Sequence, residues 1–294
     1  MHDDGTVSWA ELVAEATRRL DAAGVSSAPA SEARWIVERA SGFEGADYTS
    51  GLSELVTERG MHFFDSMLER RLAGEPLQYV LGRWGFRTLD LLVDRRVLIP
   101  RPETEIVAGL ALAEVDRVRA SGVERPVLVD LGTGSGAIGL SVAAEREGVA
   151  VVLTDRSPDA LAVARANLAG LGRAATRVTI AEGSWFEALA PDLRGGIDVL
   201  VSNPPYVAAT DEVDDIVREW EPLDALFAGD DGLDDLRVLV AGAIEWLAPG
   251  GALVLEMAPA QVDVVRSLAL AAGCSSATIH EDLTGRPRSV VARR

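Results

Sequence analysis

Val127-Leu128-Val129-Asp130-Leu131-Gly132-Thr133-Gly134-Ser135-Gly136 is the stretch on which the reading of this chain turns. A short apolar run leads directly into three glycines at alternate positions, and a helical pattern opens behind them. Glycine lets a backbone turn tightly and approach a ligand closely, because it has no Cβ and reaches positive φ at little cost. Strand, glycine turn and helix in that order are the first unit of a nucleoside-binding α/β sheet.

Working outward, Asp155 ends the next apolar run, Val151 to Thr154, roughly 20 residues after the glycines. A carboxylate at that place accepts hydrogen bonds from ribose hydroxyls. Read from Gly134 with Gly139 as its third glycine, the loop also fits G-x-G-x-x-G, which suits a nicotinamide cofactor as well as S-adenosylmethionine. Asp130 leans toward the second. A dinucleotide sets its pyrophosphate over the helix N-terminus, where anions are favoured. S-adenosylmethionine has no phosphate and carries a sulfonium cation, which an aspartate just before the glycines suits better.

Further apolar runs at Val178 to Ala181, Ile197 to Val201 and Ala252 to Leu255 alternate with helical segments. Such runs predict a parallel sheet covered on both faces. Ala277 to His280 and Ser289 to Ala292 are too close together for a helical crossover, so they are expected to pair antiparallel. The fold class is therefore α/β, Rossmann-like, with a mostly parallel seven-stranded sheet.

Upstream, Ser8-Trp9-Ala10-Glu11 is a capping box, and apolar residues from Trp9 to Leu20 recur at helical spacing until Gly24. Further helices are expected over Ala30 to Ala40 and Met61 to Ala73. Tyr79 to Leu81 and Leu89 to Val93 read as extended, and Val97 to Ile99 lead into Pro100 and Pro102, which stiffen the chain. The expected division is a helical domain over 1–77, suited to substrate docking, a β-hairpin linker over 78–102, and the α/β domain over 103–294.

Composition excludes several chemistries. All 28 basic residues are arginine, so there is no lysine for a Schiff base or a Walker-A loop. Cys274 is the single cysteine, and His2, His62 and His280 are not in a metal-ligand spacing; no metal is expected. The net charge of −18 opposes direct nucleic-acid binding, which draws on basic surfaces. The acidic start at Met1 to Asp4 lacks the layout of a signal peptide, and no apolar stretch reaches membrane-spanning length. A cytoplasmic location without membrane contact is expected.

Ile197 to Ser202 runs straight into Asn203-Pro204-Pro205-Tyr206, at the sheet edge where open α/β folds bind ligands. Two prolines fix the backbone and remove two N–H donors, leaving the Asn203 side-chain oxygen and the Pro204 carbonyl as acceptors. Tyr206 adds a flat surface. The set suits an NH₂ group attached to a planar π system.

With these motifs in order, the chain resembles the class I amino-methyltransferases, which include adenine N6 and glutamine N5 enzymes. Val97-Leu98-Ile99-Pro100-Arg101-Pro102-Glu103-Thr104-Glu105 is more selective. It resembles the HemK family, the protein-(glutamine-N5) methyltransferases that act on class I peptide-chain release factors. Gly74 to Tyr79, Ser184-Trp185-Phe186, Glu221-Pro222, Gly229 to Leu233 and Asp282 to Arg286 extend the likeness over essentially the whole chain. The resemblance implies S-adenosylmethionine cradled by Gly132, Thr133, Gly134, Ser135 and Gly136. Asp155 would hold its ribose, Trp185 would lie against its adenine, and Asn203 would border it. It also implies a glutamine amide received by Asn203, Pro204, Pro205 and Tyr206, with Phe86 as a pocket wall. Catalysis would rest on Asn203, Pro204 and Tyr206 through positioning. The departures are Arg83-Trp84-Gly85 before Phe86 and Ala258 where a glycine is common. Rival readings are a glutamine methyltransferase for a ribosomal protein, a DNA adenine N6 methyltransferase, and a nucleotide-sensing module without activity.

Overall fold

The computed structural model describes residues 6–294; Met1 to Gly5, and with them His2, lie outside the described residues. Two compact units are present, one comprising residues up to Arg83 with Asp215–Trp220, the other Trp84–Asp214 with Glu221–Arg294.

The first unit is helical: α1 (Trp9–Ala23), α2 (Pro29–Ser41), α3 (Ala46–Gly51), α4 (Glu58–Leu72) and α5 (Leu77–Leu81). The capping box forms, with Ser8 N–H donating to Glu11 Oε2 at 2.9 Å, and Gly24 ends α1 in the left-handed conformation. Leu12, Ala16, Leu20, Ile36, Phe64 and Leu68 close the core, each at most 1% exposed. Buried Arg71 pairs with Glu32 at 2.7 Å, so its charge is matched inside that core.

Tyr79 to Leu81, expected extended, belong to α5. Local propensity favours a strand there, but partners from neighbouring helices override it. The Arg70 guanidinium donates to the Tyr79 and Val80 carbonyls at 2.8 and 3.2 Å, and Arg39 Nε to Leu81 O at 3.0 Å. Arginines thus satisfy the last carbonyls of a five-residue helix, and Gly82 at φ 67° terminates it.

A two-stranded hairpin follows, β1 (Arg83–Phe86) and β2 (Leu89–Leu92), which belongs to the second unit from Trp84 onward. Val97 to Ile99 form no strand. Ile99 N–H donates to the buried Glu221 carboxylate at 3.0 Å and Val97 N–H to Asp94 O at 3.1 Å, which pins the segment outside the sheet. Then come α6 (Thr104–Ala120), β3 (Val127–Leu131), α7 (Ala137–Glu145), β4 (Ala150–Asp155), α8 (Pro158–Ala169), β5 (Val178–Glu182) and β6 (Ile197–Ser202). After α9 (Asp215–Trp220), which belongs to the first unit, the chain forms α10 (Asp234–Trp246), β7 (Leu247–Glu256), α11 (Val262–Ala271), β8 (Ser276–Glu281) and β9 (Pro287–Arg293).

The seven-stranded sheet has the order β5-β4-β3-β6-β7-β9-β8. β9 runs antiparallel to both neighbours, and the other pairings are parallel. The sheet is apolar along its central strands because both faces are covered: all six residues of β6 are buried. Val129 and Leu131 join α10 and α11 residues in one core. Leu128 and Asp130 point to the opposite face, where α7 packs on β3 and β4. Among the described residues no helix is long and apolar enough to cross a membrane.

Candidate active site

A cavity of about 530 Å³ opens at the carboxyl ends of β3, β4 and β6, and its lining comes entirely from the second unit. Gly132, Thr133, Gly134, Ser135, Asp155, Trp185, Asn203 and Pro205 all line it. Residues from four separate stretches of sequence therefore share one space.

The glycine loop holds its shape by a few bonds. Gly132, Gly134 and Gly136 sit at φ 71°, 56° and 87°, where only glycine is at ease. Thr133 N–H donates to Thr154 O at 2.8 Å, and Gly134 N–H to Asp155 Oδ2 at 2.9 Å. Asp155 Oδ1 takes Ser157 N–H at 2.9 Å, so this carboxylate ties the loop to the turn after β4. A carboxylate offers about four acceptor sites, so capacity for a ligand hydroxyl remains. Gly136 is off the lining; it caps α7 against Leu140, whose Cδ1 stands 2.7 Å from where a Cβ would be.

Trp185 lies over the loop, with its ring 3.1 Å from a Cβ built on Gly132. Its indole N–H donates to Asp235 Oδ1 at 3.1 Å. Its φ of 46° is left-handed, which costs a non-glycine residue roughly 1–2 kcal/mol. Strain of that kind persists where surrounding structure over-determines it, typically at ligand sites.

Asp130 is fully buried beneath the loop yet reaches the cavity. Its Oδ2 accepts from Thr133 Oγ1 at 2.6 Å and from Gly139 N–H at 2.9 Å, whereas Oδ1 has no hydrogen-bond partner among the described residues. Burial pushes its carboxyl up to about 6. A buried carboxylate with one orphaned oxygen at a cavity wall fits a cationic group there.

At the end of β6, Asn203 donates Nδ2–H to Thr104 Oγ1 at 3.2 Å. Pro204 is buried and off the lining. Tyr206 is also off the lining and is anchored through its backbone, N–H to Leu226 O at 3.1 Å and carbonyl to Gln261 Nε2 at 2.9 Å. Burial, with Glu256 nearby, pushes its phenol up to about 12, which keeps it protonated. Phe86 stands apart. It is 1% exposed at the end of β1 and lines no part of this cavity.

The cavity also draws on residues that motif reading left out of the site. Val97, Leu98, Pro100 and Arg101 form part of the wall, held by Glu221, whose Oε1 pairs with Arg101 at 2.5 Å. The signal for them was present in the double-proline stiffness of that stretch. Thr104 had none beyond its neighbourhood, and its contact with Asn203 spans distant parts of the chain.

Known proteins carry the same two parts. Residues 11–82 match the family described as the PrmC N-terminal domain, and residues 115–220 match the methyltransferase small domain. The release factor glutamine methyltransferase of Deinococcus radiodurans is 41% identical over 287 residues, covering 97% of this chain and 98% of that protein. The protein of the same name from Streptomyces coelicolor is 41% identical over 290 residues, covering 96% of each. Among solved structures, the hMettl16 catalytic domain in complex with a MAT2A 3′UTR hairpin aligns with a TM-score of 0.52 at 12% identity. That match covers 82% of this chain and 84% of the other, and it is a likeness of fold.

Proposed function

The chain belongs to the release factor glutamine methyltransferase family, and from that premise we propose that it methylates, from S-adenosylmethionine, the side-chain amide nitrogen (N5) of the glutamine in the Gly-Gly-Gln motif of class I peptide-chain release factors in the cytoplasm. The observation that carries this reading is Asn203. Its amide nitrogen is committed to Thr104, so its oxygen is left to accept from the cavity that the glycine loop also lines.

The residues fit the cofactor. The loop from Gly132 to Gly136 offers a backbone cradle, Asp155 spare acceptor capacity for a ribose, and Trp185 a flat face for an adenine. The orphaned Oδ1 of Asp130 suits the positive end of the ligand. When bound, S-adenosylmethionine supplies an electrophilic methyl group.

An amide nitrogen is a poor nucleophile, because its lone pair is delocalised into the carbonyl. Asn203 Oδ1 and the Pro204 carbonyl accept its two N–H bonds, which raises electron density on nitrogen and fixes its direction. Positioning in a dry site lowers a barrier by ~7–11 kcal/mol. The same acceptors stabilise the positive charge that develops on nitrogen. The proton then passes to water, and Pro205, on the cavity wall, flanks the amide plane. The helices of residues 1–77 dock the body of the factor, leaving its glycine-flanked glutamine free to enter a narrow site.

The test is incubation of the chain with S-adenosylmethionine and a recombinant class I release factor, followed by mass spectrometry of the Gly-Gly-Gln peptide. One methyl on that glutamine is expected. Asn203→Ala should abolish turnover while calorimetry shows nearly unchanged cofactor affinity. Factors left untouched while a ribosomal protein gains the methyl would overturn the assignment of substrate.

A further inference from the structure

Trp185 can serve as a wall for a planar ligand only if its ring is held still, and the structure holds it at two edges. Its outer edge, Cζ3 and Cη2, comes within 3.1 and 3.4 Å of where a Cβ on Gly132 would lie, so the ring rests on the bare backbone of the cofactor loop. On the far side its indole N–H donates to Asp235 Oδ1 at 3.1 Å. Rotation of the side chain about χ2 would break one contact or the other.

The next residue is held from the same helix. Phe186 stacks on Trp246 with ring centroids 6.1 Å apart and planes 10° off parallel, and a Cβ built on Gly242 would run into its ring. Gly242 and Trp246 lie seven and eleven residues after Asp235 in α10. At ~100° per residue the three fall within about 40° of one another, on one face. That face grips both side chains of the Trp185-Phe186 pair, and it lets the left-handed φ of 46° at Trp185 persist. The plainer role for Asp235 is that of an acid in the first turn of α10, where the helix dipole favours any carboxylate. Its neighbour Asp234 fits that role, since it is exposed and pairs with Arg237 at 3.3 Å. Asp235 turns instead to an indole that lines the cavity. Without that acceptor the indole N–H loses its partner, and the ring must be immobilised when a ligand arrives, which lowers affinity.

We propose that Asp235 is a positioning residue for the cofactor: by accepting the Trp185 indole N–H it fixes the ring as the wall against which the adenine of S-adenosylmethionine lies. The inference rests on the cofactor reading above and deepens it, since it names the residue of α10 that readies the adenine subsite before the ligand arrives.

The experiment compares the wild type with Asp235→Asn, Asp235→Leu, Trp185→Phe and the double variant of Trp185→Phe with Asp235→Leu. Calorimetry measures binding of S-adenosylmethionine and of methylthioadenosine, which keeps the adenine and lacks the amino acid end. Asp235→Leu removes the acceptor at similar size and should weaken both ligands by a similar factor, about fivefold to tenfold. KM for S-adenosylmethionine should rise by that factor, while kcat toward a Gly-Gly-Gln peptide moves far less. Asp235→Asn loses the charge and keeps an acceptor oxygen, so it should bind both ligands close to the wild type. The double variant should bind no more weakly than Trp185→Phe, because the two changes remove one contact. Wild-type affinity in Asp235→Leu, or additive losses in the double variant, would overturn the positioning role. Equal losses in Asp235→Asn and Asp235→Leu would overturn it too, and would make Asp235 a helix-end charge. Should Asp235→Leu fail to fold, Asp235→Ala takes its place, and wild-type affinity there overturns the proposal. A wild-type chain that binds neither ligand would overturn the cofactor reading itself. Binding without transfer to the peptide would overturn only the amide-methylating reading, with Asp235 still decided by calorimetry.

Discussion

At the scale of the residue, Asp130 puts binding and stability in opposition. Its folded carboxyl lies at about 6 against 3.8 for the unfolded chain, chiefly through burial, so the folded state holds the extra proton between those values. Stability from this group is complete below the unfolded pKa and is lost as pH rises through about 6. Asp130→Asn should therefore stabilise the enzyme above neutrality by about 2–3 kcal/mol, the gain vanishing toward pH ~4. The same substitution should weaken S-adenosylmethionine binding by at least tenfold. Thermal melts across pH together with calorimetry check both; a pH-independent difference in melting would sink the argument. The place of Asp130 under the glycine loop was legible in the sequence, because it follows from the residues beside it. The Thr104–Asn203 contact was not, since such a pair exists only once α6 and β6 are packed together. Phe86, which the likeness put on a pocket wall, is 1% exposed and off the lining of this cavity.

At the scale of the element, α7 seats itself on the sheet through one glycine. A Cβ built on Gly139 would run into Leu153 of β4 and come within 3.2 Å of the Asp130 Cβ. Leu153 is itself fully buried and has little room to yield. Gly139→Ala should thus cost about 1–3 kcal/mol, measured by denaturant unfolding, and should weaken cofactor binding by tilting α7 and the loop before it. Unchanged stability would mean that Leu153 repacks freely. The central strands were legible because apolar runs bounded by glycines report burial on both faces, and β8 and β9 because their short spacing leaves no room for a helical crossover. α5 was not, because Arg39 and Arg70, which finish its carbonyls, belong to other helices.

At the scale of the whole molecule, the charge of −18 bears on encounter more than on chemistry. A release factor works among RNA phosphates, so the surface around its glutamine loop is expected to be basic. Raising salt should then lower kcat/KM for an intact factor, leave kcat nearly unchanged, and affect a short Gly-Gly-Gln peptide much less. Stopped-flow association across ionic strength reads this directly, and a flat response for the intact factor would remove charge as the source of attraction. The order of the sheet also bears on how the molecule is made. β9 is inserted between β7 and β8 although it comes after both in sequence, and it places Ser289 opposite Glu256. During vectorial synthesis β7 therefore keeps one edge unpaired until residues 287–293 have emerged. A nascent chain stalled after β8 can bury its glycine loop but has an open edge at β7, so the strand beside the one that runs into Asn203 is among the last in this sheet to gain its second neighbour.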